Sequence, residues 1–509
     1  MKKNILPMNI LLISALLLGG CKANDPIATP MPTADYSIVN GDTIKTVIFK
    51  DYKKLKDKDP NSKNYIVVGD TIVLYKEPKL HTPPAKDPDL SKLKNNDDPD
   101  LKGKPLRMVA IGGSLTAGVR DGGYFNEGIL TSYPNLIARQ MKLKKFEQPL
   151  FDATDYNGFG RKVRTSFNPT GGPVPKFNEV KNNSGVESVD ELGINGEKGI
   201  KLKKAKNRET LDNFSLAYGP SRQLYTWGST NPTNQSSDIK YAIFSRLTDK
   251  ELIPQGLFKN KFDFFILETG LNDILVSMTE YYQHNYTTKP EMIGKSFEQL
   301  QIKDLNSYQA YLFDLSATYA LIAESNRRKV KYGCILNTPD IFEFPYFKFV
   351  TGKMIDDVFA QAGIYHRELD GNVYSPNSRI DSLLSSKVHI ALKPGINTKY
   401  PILRFGVNDN SYKNLLSDFN TEKESLSKRF GYPIVDINSL YKKILAGEFT
   451  TTDGVKVNPS WVDGNFFSSD GIYPSAFGQA VIANEVIKVL NSTYKTDIPL
   501  ISTKEYLNR

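Results

Sequence analysis

The stretch Leu106-Arg107-Met108-Val109-Ala110-Ile111-Gly112-Gly113-Ser114-Leu115-Thr116-Ala117-Gly118 decides the fold. An unbroken apolar run, too short for a helix, ends in two glycines and a serine before a second apolar stretch. This reads as a strand buried on both faces, a tight turn and a helix start. Three later runs have the same character: FDFFILETG at 262–270, KVKYGCILN at 329–337 and YPIVDI at 432–437. Between them lie helical patterns, YQAYLFDLSATYALIAESNRR at 308–328 and YKNLLSDFNTEKESLSKRF at 412–430. Fully apolar strands alternating with helices predict an α/β domain around a parallel sheet covered on both faces. The segments 151–212 and 341–411 lack a clear period and read as long insertions over the strand ends.

N-terminal to this domain, residues 36–76 hold a near-repeat, IVNGDTI at 38–44 and IVVGDTI at 66–72. Each is a β-branched run broken by Gly-Asp, which predicts two β-hairpins without chemistry. The Asp-, Lys- and Pro-rich run PPAKDPDLSKLKNNDDPDLKGKP at 83–105 reads as a solvated linker. Residues 21–104 are thus expected to form a tether with a small hairpin segment, 105–500 the α/β domain and 501–509 a C-terminal tail.

The first residues, MKKNILPMNILLISALLLGGC, combine two lysines, an apolar run and small residues before Cys21. The run is too short for a permanent span, and no later run reaches the length of about 18 apolar residues that a membrane helix needs. Residues 1–20 read as a signal peptide, and Leu18-Gly19-Gly20-Cys21 resembles the lipobox of bacterial lipoproteins. That resemblance implies acylation of Cys21 and an anchor in membrane lipid. The only other cysteine is Cys334, so an acylated Cys21 leaves no intrachain disulfide.

Composition excludes several classes. In 509 residues, 39% hydrophobic and 11% aromatic side chains suffice for a large core, and a net charge of +10 is a modest excess. No heptad or solenoid period persists. The two cysteines and four histidines have no zinc spacing, and no Walker A or G-x-G-x-x-G motif follows a strand, so neither metal nor cofactor is expected. The lysine runs at 142–145 and 201–206 read as solvated faces, and a nucleic-acid partner is not expected.

Three short motifs carry the chemistry. Ser114 stands at the carboxyl end of the first strand, where α/β sheets bind ligands. Gly270-Leu271-Asn272-Asp273 follows the second strand, and Asp470-Gly471-Ile472-Tyr473-Pro474-Ser475 precedes the last helix. In this order the set resembles the SGNH (GDSL) hydrolase superfamily, closest to its lipoprotein branch in Gram-negative envelopes, over roughly residues 105–500. Gly122-Gly123-Tyr124-Phe125, Thr338-Pro339-Asp340-Ile341 and Ala476-Phe477-Gly478-Gln479 agree with it.

The resemblance implies a flavodoxin-like three-layer sandwich and ester hydrolysis. It makes Ser114 the nucleophile, gives Ser114, Gly219 and Asn272 an oxyanion hole, and makes Asp470 the residue that orients the base. The base itself is missing. Tyr473 stands where the family has histidine, and a phenol titrating near 10 cannot take the serine proton at neutral pH. Gly113 stands where the family usually has aspartate. None of His81, His284, His366 and His389 has an aspartate three residues before it.

The leading expectation is therefore a protein lipid-anchored to the outer membrane, with degenerate catalytic machinery, that serves as a binding or scaffold subunit beside an outer-membrane barrel protein. An active serine carboxylester hydrolase with an unrecognised base, acting on an ester ligand, is the alternative. A glycan-binding surface module is the second.

Overall fold

The computed structural model describes residues 36–39, 42–48, 65–68, 71–74, 80–167, 175–182, 185–190, 199–226, 239–248, 253–275, 305–345, 388–392, 403–460 and 464–507. Cys21 and the signal segment, His284 and His366 lie outside them, as does most of the 341–411 insertion. The chain divides into two compact units, one of Met1–Glu77 with Lys162–Asn182, the other of Pro78–Arg161 with Asn183–Arg509.

The first unit contains both expected hairpins. Tyr36–Val39 pairs antiparallel with Asp42–Ile48, and Tyr65–Val68 with Thr71–Leu74. Thr46↔Val73 pairing joins them into one four-stranded sheet. A lone short sheet needs something to cover it, and part of the expected 151–212 insertion belongs to this unit. There Lys162–Phe167 and Pro175–Glu179 form a third hairpin. The chain then runs beside Tyr65–Val68, with Lys181 N–H donating to Val67 O (2.7 Å). Asn182 clamps the same strand, its Oδ1 accepting from Val67 N–H (2.9 Å) and its Nδ2 donating to Tyr65 O (3.2 Å). Ile66, Val68, Val163 and Val180 form a small buried cluster. The insertion is thus not simply a set of loops over the strand ends.

The second unit is built on a parallel sheet of Met108–Ile111, Phe264–Glu268, Tyr332–Leu336 and Ile434–Val435, side by side in chain order. Ala110 also bridges in parallel to Asn213 on its other side, so the segment at 212–216 is a further neighbour of the first strand. The order across the sheet is then second, first, third, fourth, fifth along the chain. Every residue of Met108–Ile111 and Phe264–Glu268 is buried, as strands covered on both faces require. Helices pack in two groups: Tyr133–Gln140 with Ala476–Tyr494, and Leu305–Arg327 with Ser221–Thr226 and Asp409–Phe430. The fold is mixed α/β and compatible with three layers. No helix among the described residues is long and apolar enough to cross a membrane.

Two boundaries differ from expectation. The run read as a solvated linker lies on the second unit from residue 80 onward, and the units divide at Glu77 and Pro78 instead of at 104. Leu93 and Leu101 are buried, Lys94 pairs with Asp263, and His81 bonds through N–H and Nδ1 to Tyr506 Oη (2.9 and 2.8 Å). Ile501, Thr503 and Tyr506 of the expected tail are core residues too. A few widely spaced apolar side chains among many charges fix this strap, and mean composition does not register them.

Candidate functional site at the carboxyl edge of the sheet

The first strand ends at Ile111, and Gly112-Gly113 turns the chain into the short helix Ser114–Ala117. Neither glycine tolerates a side chain. A Cβ on Gly112 would lie 2.4 Å from Thr116 Oγ1, and one on Gly113 would lie 2.9 Å from the Asn272 carboxamide. The Asn272 carboxamide therefore lies against the position where a side chain at residue 113 would begin.

Ser114, Asn272, Asp470 and Tyr473 converge as their order along the chain implied, and all four are buried. Ser114 is 0% exposed. Its Oγ accepts from the backbone N–H of Tyr218 (2.8 Å) and from Asn272 Nδ2 (3.0 Å), with the Tyr473 phenol beside it. The phenol donates onward to Asn272 Oδ1 (3.2 Å). Burial holds the Tyr473 phenol well above its usual range; the contact with Ser114 opposes this, while Asp470 and Glu268 reinforce it. Tyr473 is a neutral hydrogen-bonding partner and not a base.

Among the described residues, Asp470 has only backbone amides as hydrogen-bond partners. Its Oδ1 accepts from the N–H groups of Ile472 (2.9 Å) and Tyr473 (2.8 Å), and its Oδ2 accepts from Gly122 N–H (3.1 Å). Burial raises this carboxyl to about 6, helped by the nearby charge of Asp121 and opposed by the three amides. Asp121 ties the same two loops together, its N–H donating to Ser468 Oγ (3.1 Å) and its Oδ1 accepting from Ser469 N–H and Oγ (3.1 and 2.7 Å).

Gly219 is a correction. Its N–H donates to Leu216 O (3.1 Å), and its carbonyl accepts from Asn272 Nδ2 (3.0 Å). The amide that reaches the serine is that of Tyr218, which holds a left-handed backbone with φ 62°. No sequence signal marks it, because a tyrosine is seldom read as a left-handed residue.

Beneath the serine turn lies a cluster that no motif announced. Glu268 Oε2 accepts from Gly113 N–H (2.9 Å) and Thr116 Oγ1 (3.0 Å). Lys423 Nζ is fully buried and donates to Thr269 O, to Leu336 O (3.1 Å) and to Thr338 Oγ1 (2.8 Å). Burial lowers this ammonium to about 8, while Glu268 and Asp273 pull it back up. Asp273 accepts from Ser221 N–H and Oγ (2.7 and 2.6 Å) and from Gly270 N–H (2.6 Å), holding the Gly270–Asn272 turn in place.

Other candidates fall away from the site. His81 is buried against Tyr506, and His389 lies in the strand Val388–Leu392. In the lysine runs, Lys142, Lys145, Lys201, Lys203 and Lys206 each pair with a carboxylate. Among the described residues no group of three or more His, Cys, Asp or Glu is arranged to hold a metal ion. The Cys334 thiol is buried and pushed well above its usual range. Chemically, the edge offers a serine, two N–H donors aimed at its oxygen and a carboxylate, with no histidine beside the serine among the described residues. No protein-family model and no curated protein sequence matches the chain.

Proposed function

We propose that the protein is a lipid-anchored cell-envelope protein whose main domain is a flavodoxin-like, SGNH-hydrolase-like sandwich with a silent serine site, acting as a binding or scaffold subunit of an outer-membrane assembly. One observation carries the catalytic half of this reading. The Ser114 hydroxyl accepts from Tyr218 N–H and Asn272 Nδ2, the phenol of Tyr473 is turned to Asn272 Oδ1, and the Asp470 carboxylate is engaged by backbone amides. The sheet order second, first, third, fourth, fifth is that of flavodoxin-like sheets and supports the fold assignment. The anchor rests on Leu18-Gly19-Gly20-Cys21, and the barrel partner on the envelope branch that the motifs resemble. The donors converging on Ser114 favour an active esterase as the second reading.

Hydrolysis of a short-chain p-nitrophenyl ester separates the two. Wild type and Ser114→Ala should both stay at background, because losing a triad base lowers kcat by on the order of 10⁶. Tyr473→His should acquire turnover that disappears again in Tyr473→His with Ser114→Ala. Wild-type turnover abolished by Ser114→Ala would establish the esterase instead.

A further inference from the structure

At the opposite, amino-terminal edge of the main sheet lies a cavity of about 370 Å³. That is within the size of small-molecule sites. Its floor is apolar: Phe258 and Phe262 stack with centroids 5.9 Å apart, beside buried Val330. One wall is the strap at 95–99, where Asn95 is buried, donates from Nδ2 to Lys329 O (3.2 Å) and leaves Oδ1 without a partner.

The rim is cationic. Lys261, Arg327, Arg328, Lys329 and Lys331 line it against Asp97 and Asp98. Several of these cations are paired: Lys331 with Asp97, Lys261 with Asp98 and Asp100, and both arginines with Glu324. Lys329 forms no ion pair among the described residues, and Arg328 stands 4.9 Å over the Phe258 ring. The Lys331–Asp97 pair stands in solvent, with Asp97 77% and Lys331 44% exposed. Such pairs contribute little and re-form readily around a stronger anion.

We infer that this groove binds a small organic phosphate whose ring or acyl body rests on Phe258, Phe262 and Val330 while its phosphate draws Lys329, Lys331 and the two arginines. An arginine and lysine rim suits a phosphate dianion, which takes several charge-assisted hydrogen bonds at once. The apolar floor distinguishes such a ligand from inorganic phosphate. The site shares no residue with the serine edge and does not depend on what happens there.

The test is calorimetric titration of the full-length protein with phenyl phosphate, inorganic phosphate and benzyl alcohol. Phenyl phosphate should bind about tenfold tighter than either single-feature probe, since the groove engages charge and body together. Lys329→Gly combined with Lys331→Ala should weaken it by about tenfold or more, with benzyl alcohol unaffected. Both side chains are exposed, and glycine accepts the left-handed backbone at 329, where φ is 59°. Equal affinity for inorganic and phenyl phosphate, or unchanged affinity in the double variant, would overturn the inference. Phosphatidylglycerol vesicles that displace phenyl phosphate would identify a lipid headgroup as the source of the phosphate; vesicles that do not would identify a soluble ester. Either result stands with the groove.

Discussion

At the carboxyl edge of the main sheet, Lys423 and Glu268 are buried, and the Lys423 ammonium donates to three oxygens. At the amino-terminal edge, Lys331 and Asp97 face each other with 44% and 77% of their side chains in water. The same residue types thus do different physical work. Buried charges are costly to strand and hold one arrangement, whereas exposed ones exchange partners at little cost. The closed edge fixes a geometry, and the open edge can admit a ligand.

Breaking the closed edge should be the most damaging change. Lys423→Met leaves Thr269 O, Leu336 O and Thr338 Oγ1 without their donor and removes a positive charge that acts on the buried Glu268. Urea denaturation should show a loss of about 3–5 kcal/mol; a loss below about 1 kcal/mol would erase the contrast between the edges.

Asp470 sharpens the contrast through pH. Its folded value of about 6 lies above the ordinary 3.8, so the fold favours the protonated form. The stability linked to this carboxyl is fully present below about pH 4 and is lost as pH rises through about 6, by about 3 kcal/mol. Subtracting an Asp470→Asn stability profile from that of wild type should isolate a fall of this sign over that window. A flat difference would mean that the carboxyl is not buried beside Asp121 as the structure has it.

The smallest effect belongs to the open edge. Lys261→Ala removes a solvent-facing pair with Asp100 and one with the less exposed Asp98, and should shift the urea midpoint far less than Lys423→Met. A midpoint shift comparable to that of Lys423→Met would show both edges to be equally structural.

What was legible in the sequence followed from local pattern. Unbroken runs such as FDFFILE mark strands buried on both faces, and the paired IVxGDTI segments mark hairpins. The spacing of Ser114, Asn272, Asp470 and Tyr473 across strand ends put them at one edge. What was illegible depended on distant partners. Lys423 lies in an ordinary amphipathic pattern and becomes a buried cation only because Thr269, Leu336 and Thr338 surround it. Tyr218 supplies the serine's amide donor through a backbone conformation that its residue type disfavours. The strap holds through Leu93, Leu101 and His81, three residues lost among charges in any window average.

The third hairpin of the N-terminal unit also sets an order of events during synthesis. Val67 and its clamp Asn182 are 115 positions apart. At the usual rate of about 5–20 residues per second, the first two hairpins wait roughly 6–23 s for the strand that completes them. For most of that interval Ile66 and Val68 lack the neighbours Val163 and Val180 that cover them in the finished protein. A nascent chain with uncovered β-branched hairpins is a natural client for a holding chaperone, and the demand ends only when the chain has passed Asn182.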